Sequence, residues 1–143
     1  MPAPTPTAHR SGKLIALAFL GGALGTAARA GIGQVAPPEP GAWPWSTFAI
    51  NLTGALLLGA VLETLSRREA LIGRARGARV LLGTGVLGGF TTYSAFALEA
   101  VRLDLGLGIL YAVLTTGLGI AAAAAGFTLA RSRASEPFPE PGS

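Results

Sequence analysis

Four apolar stretches, each longer than twenty residues, constrain this chain more than any other feature. They occupy 13–36, 45–66, 78–103 and 105–130. A bilayer's hydrocarbon core takes about 20 helical residues to cross. In hydrocarbon, a segment must satisfy its own backbone N–H and C=O groups, which a helix does and an open strand does not. The apolar residues favour no single face, the pattern of helices surrounded by lipid and by one another. The expectation is an all-α membrane protein with four transmembrane helices.

Composition narrows the chemistry. Only 13% of the residues are charged, against about 25% in an ordinary soluble domain. Cysteine is absent and the one histidine, His9, lies in a proline-rich tail. No disulfide framework, no thiolate metal site and no His–Ser pair is therefore available within the spans, and the chain does not read as an enzyme. The net charge of +4 comes from residues flanking the apolar stretches. They serve as topology signals rather than as a nucleic-acid surface.

The first span has the look of a secretory signal, with Arg10 and Lys13 before an apolar run and "ARA" at 28–30. The run is too long, however, Arg29 interrupts it and three more spans follow. "PPEPGAWPW" (37–45) reads as a proline-rich turn with two tryptophans for the headgroup layer, and 67–79 is a basic connection. "RLD" (102–104) is a tight turn. The tails, 1–12 and 132–143, are expected to be disordered.

Of 11 Lys and Arg, nine belong to one side of this arrangement. They are Arg10 and Lys13, then Arg67, Arg68, Arg74, Arg76 and Arg79, then Arg131 and Arg133. Arg102 alone lies opposite, and Arg29 is inside a span. The positive-inside rule places both termini in the cytoplasm of a multi-pass inner-membrane protein.

Polar residues inside spans are costly and mark functional candidates. Asn51 lies ~9 Å along its helix from Trp45, with Thr47 one turn earlier on the same face. Both suit either a helix–helix hydrogen bond or a polar strip. Arg29 either snorkels to the headgroups or offers a fixed charge to an anion. Gly21, Gly22 and Gly25, Gly54 and Gly59, and Gly117 and Gly119 read as packing positions.

"LGGFTTYSAF" (87–96) is the oddest stretch. Gly88 and Gly89 disfavour helix by about 1 kcal/mol each relative to Ala. Thr91, Thr92 and Ser94 can hydrogen-bond to local backbone. The expectation is a third helix broken near its middle, at 88–92, whose freed carbonyls could ligate a cation and whose N–H and hydroxyl groups could donate to an anion. A merely kinked helix is the alternative. Tyr93 and Phe96 share a face just beyond, and their positive ring edges would favour an anion. Glu99, three residues on, would repel one and so reads as a cap, an orienting group or a gate.

Taken together, "GGALGTAAR" (21–29), "STFAINLTGALLLG" (46–59) and "GVLGGFTTYSAF" (85–96) with Glu99 resemble the Fluc (CrcB-type) fluoride channel family. The resemblance spans all four apolar stretches. It implies an antiparallel dimer of four-helix subunits with two fluoride pores. It also implies a sodium ion at the dimer centre, held by backbone carbonyls of Gly88 and Thr91. It places Asn51, Phe96, Tyr93, Thr47, Ser94, Thr115 and Tyr111 along the fluoride pore, and Arg29 and Glu99 at vestibule and gating positions. The implied function is passive fluoride export, with donors closely spaced enough to replace the ion's water and no one of them binding too tightly.

Three departures stand out. Tyr93 replaces the family's usual phenylalanine. Ala95 and Gly119 fall where hydroxyl-bearing residues are expected. The lopsided positive charge disfavours a homodimer with one subunit inverted, and points to pairing with an oppositely oriented homologue. Alternatively, the chain is a poorly conducting structural subunit of such a heterodimer. A proton-coupled exporter would need a membrane-embedded carboxylate, but span one has none, and Glu63 and Glu99 lie near span ends.

Overall fold

The computed structural model describes residues 12–67 and 72–133. Most of both tails therefore lies outside the described residues. Those that are described, Gly12 at one end and Ser132 and Arg133 at the other, are helical.

The described chain is all helical. Helix α1 (Gly12–Val35) leads through a proline-rich loop to α2 (Trp45–Ser66). In that loop Pro40 and Gly41 occupy the centre of a turn. Gly41 has φ +75° and the Ala42 N–H donates to the Glu39 carbonyl at 3.2 Å. This is a type II turn, whose third position needs the positive φ that glycine adopts freely. Helix α3 (Ile72–Ala78) makes much of the expected basic connection helical, as its alanines and arginines favour.

From α3 the chain runs through a π-helical stretch, Arg79–Leu87, and a last α-helical turn, Gly88–Phe90. Helix α4 (Tyr93–Arg102) completes the third span and α5 (Leu105–Arg133) forms the fourth. Four segments, Gly12–Val35, Trp45–Ser66, Ala75–Arg102 and Leu105–Arg133, are long and apolar enough to cross a membrane. The protein is thus a multi-pass membrane protein.

A break across the whole of 88–92 is not what the third span displays. Gly88–Phe90 remains helical and the Thr91 N–H still donates to the Leu87 carbonyl at 3.0 Å. The helix bends by 20°. Only Thr91 (φ −73°, ψ 155°) and Thr92 (φ −145°, ψ 120°) are extended. Glycine's poor helix propensity is a small term here. The side-chain hydrogen bonds described below move the irregularity onto the threonines.

Helix α2 packs most extensively on α5, and α1 on the π-helical stretch and the turn after it. Both contacts run through glycine. A Cβ on Gly85 would stand 2.8 Å from the Gly21 Cα, and one on Gly25 would collide with the Val86 carbonyl. Across the other pair, Gly59 lies against the Ala123 carbonyl and Gly126 against the Leu56 carbonyl. Lipid tails give helices no hydrophobic drive to associate, so close backbone approach is what holds them. A Cβ on Gly117 or Gly119, expected to pack likewise, would meet nothing within 4 Å. Few large apolar side chains are buried, and many face outward, Phe19 at 75% and Val113 at 64% exposure among them.

Candidate functional site

The site is built around Asn51. Its side-chain amide lies against the backbone of Thr92, 41 residues away. The Thr92 N–H donates to Asn51 Oδ1 at 2.9 Å, and Asn51 Nδ2 donates to the Thr92 carbonyl at 3.2 Å. One amide thus pairs with both backbone groups of an extended residue, as a neighbouring strand would. The Thr92 hydroxyl caps α4 by accepting the Ala95 N–H at 3.2 Å, and shares a hydrogen bond with Ser94 Oγ at 3.2 Å. Gly54 makes room for this segment, because a Cβ there would strike the Thr91 methyl group.

The pairing has a consequence for carbonyl oxygens. In an unbroken helix the Thr92 N–H would bond the Gly88 carbonyl and the Ala95 N–H the Thr91 carbonyl. Both donors are engaged elsewhere, with Asn51 and with the Thr92 hydroxyl. On the side facing α1, the Gly89 carbonyl accepts from Thr26 Oγ1 and from Arg29 Nε, each at 3.4 Å. Arg29 therefore turns inward to the irregular segment. Thr26, one turn before it, is a partner that the sequence reading missed; its spacing of three from Arg29 was the available signal.

Glu99 sits at a second node. Its carboxylate accepts from the Thr47 hydroxyl at 2.7 Å and from the Tyr111 hydroxyl at 3.1 Å. Thr47 is buried and Tyr111 is wholly so. The two hydroxyls expected to line a pore thus donate to the carboxylate. Phe96 lies over Tyr111, ring centroids 5.4 Å apart, and Tyr93 lies 5.9 Å from Phe96.

Between these nodes runs an open groove of about 580 Å³, lined by α2, the third span and α5. Asn51, Thr92, Tyr93, Phe96 and Thr115 contribute to its wall, as do Gly88 and Thr91. Thr115 Oγ1 is buried with no hydrogen-bond partner among the described residues. Tyr93 is 81% exposed at the rim. Of the expected pore residues, Asn51, Phe96, Tyr93 and Thr115 line this groove. Thr47 and Tyr111 stand behind it on Glu99, and Ser94 touches it only through Thr92. Among the described residues no cluster of three His, Cys, Asp or Glu side chains could hold a metal.

A family model described as "CrcB-like protein, Camphor Resistance (CrcB)" matches residues 16–127. The chain belongs to the CrcB family. Within that family the chain is 49% identical over 125 residues to "Fluoride-specific ion channel FluC 2" of Leifsonia xyli subsp. xyli, covering 85% of this chain and 86% of that one. It is 40% identical over 112 residues to "Fluoride-specific ion channel FluC 1" of Mycobacterium bovis, covering 76% and 83%. To "Fluoride-specific ion channel FluC" of Agrobacterium fabrum it is 40% identical over 126 residues, covering 82% and 96%. The match spans all four helices that can cross the membrane, so the CrcB assignment applies to the groove as well as to the fold.

Proposed function

We propose that this protein is a passive fluoride channel that lets the ion leave the cytoplasm down its electrochemical gradient. The observation that carries this is the groove. It gathers an amide, a buried hydroxyl with no partner and two aromatic rings along one wall. Fluoride holds its water strongly, so a path for it must replace those donors one after another without trapping the ion. The names of the relatives support the choice of ion.

The groove is open on one side and Tyr93 projects from its rim. A second, antiparallel subunit would cover it. Two subunits would then bring together the Gly88 and Thr91 carbonyls, whose helical donors are engaged elsewhere. Four such oxygens suit a hard cation, and sodium is the ion proposed for the dimer centre. When bound it would offset the cost of carbonyls left without donors. Arg29, against the Gly89 carbonyl, would draw anions towards the groove.

The excess of Arg and Lys on one side favours a particular partner. A chain that inserts one way in cells needs an oppositely oriented homologue to form the pair. On this reading the conducting unit in cells is a heterodimer, and a mainly structural role for this chain within it is the alternative.

Fluoride efflux from proteoliposomes holding the purified chain tests the function. Wild-type liposomes should release fluoride and not chloride. Asn51→Asp replaces the donor to the Thr92 carbonyl by an acceptor, and Phe96→Ile removes a ring from the groove. Each should slow efflux well below the wild-type rate. Efflux at the wild-type rate in both variants would defeat the site assignment.

A further inference from the structure

We propose that Trp43, in the loop between α1 and α2, is a positioning residue for the groove, acting through Tyr111 on Glu99 and Phe96. This rests on the fluoride-channel reading.

Trp43 is the hub of an aromatic file. Its ring lies 5.3 Å from that of Tyr111 at 89°, edge to face, and also meets Trp45 at 5.8 Å and Phe48 at 5.5 Å. Tyr111 continues the file to Phe96 at 5.4 Å, and Phe96 to Tyr93 at 5.9 Å. The file therefore runs without a gap from the loop to the groove rim. Tyr111 is fully buried and clamped between Trp43 and Phe96. Its hydroxyl cannot leave Glu99 by a ring swing unless Trp43 moves. Edge-to-face pairs hold ring orientation as well as contributing area.

Trp43 is itself held rigidly. Pro44 follows it and is fully buried, and the type II turn at Pro40–Gly41 comes just before. The Trp45 N–H donates to the Trp43 carbonyl at 2.9 Å, closing the backbone around it. The indole N–H is buried with no acceptor in reach. Burying a polar N–H without a partner carries a cost that a phenylalanine here would avoid. The indole's contacts with Tyr111, Phe48 and Trp45 are what offset that cost. The site residues themselves stand on helices, and Trp43 adds a layer of packing behind them, as a precisely held constellation requires.

Double-mutant analysis of fluoride efflux tests this. Trp43→Leu should slow efflux by about tenfold, since small misplacement of site groups is amplified in rate. Trp43→Phe, which keeps a ring against Tyr111, should stay within about threefold of wild type. The double variant Trp43→Leu/Tyr111→Leu should be no slower than the slower single one, because both act through the Tyr111 ring. Losses that multiply, or Trp43→Leu at the wild-type rate, would overturn the proposal. A second measurement stands independently of efflux and of how well Trp43→Leu folds. The chain has two tryptophans, so Trp45→Phe leaves Trp43 as the sole emitter. Its emission should shift when Glu99→Gln is added, and an unchanged spectrum would overturn the coupling. Silent wild-type liposomes would instead count against the channel reading itself.

Discussion

Glu99 shows what single residues do in this protein. A carboxylate within an apolar span is a liability unless its charge is held and directed. Here two hydroxyls from different helices, Thr47 and Tyr111, donate to its two oxygens. Polar side-chain hydrogen bonds in membranes contribute ~0.6–2 kcal/mol. Thr47→Val and Tyr111→Phe should each lower stability by about 1 kcal/mol. Together they leave the carboxylate without hydroxyl donors, so the double variant should lose more than the sum. Equilibrium unfolding in detergent micelles measures this, and strict additivity would show that the two donors do not share one carboxylate. The sequence marked Thr47, Tyr111 and Glu99 as important but not as one unit. Residues 52 and 12 apart carry no periodic signal of mutual contact, and nor does the pairing of Asn51 with Thr92. What the sequence could show was cost, since each polar side chain in an apolar run must find some partner.

At the scale of helices, the protein is held by glycines that let backbones meet, and their importance differs sharply along a single helix. In α5, Gly126 lies against the Leu56 carbonyl of α2, whereas a Cβ on Gly117 would meet nothing within 4 Å. Gly126→Ala should destabilise the subunit by about 1–3 kcal/mol through overpacking. Gly117→Ala should leave subunit unfolding unchanged or gain slightly from better helix propensity. Equal losses in thermal unfolding of the two variants would contradict the packing described. Hydropathy alone made the four spans legible, because the bilayer leaves the backbone no alternative to a helix. It could not rank the glycines, since small residues recur on more than one face of these helices. The glycines and hydroxyl residues of the third span marked 88–92 as irregular, but not which of those residues leave the helix. Tertiary hydrogen bonds from Asn51 and the Thr92 hydroxyl place the extended backbone at Thr91 and Thr92.

For the whole molecule the decisive quantity is the distribution of charge across the bilayer. Four spans return the chain to its starting side, so both termini share one compartment, and the Arg and Lys residues gather with them. An excess of Lys and Arg in the loops of one side biases insertion so that this side stays in the cytoplasm, and nine against one is a strong bias. Detergent micelles impose no such bias. On the orientation proposed above, purified chains could meet antiparallel in a micelle, whereas chains made in a cell would all face one way. The expected outcome is a split result: fluoride efflux from proteoliposomes of the purified chain, but no fluoride resistance in cells expressing it alone. Replacing Arg67, Arg68, Arg74 and Arg76 with glutamine and adding lysines at the loop between α1 and α2 should restore resistance when this version is co-expressed with the original. The absence of cysteine lets a single introduced thiol near each terminus report orientation by impermeant labelling. Labelling of that thiol from both sides of the membrane, in the chain with its arginines intact, would show that it inserts both ways and needs no inverted homologue.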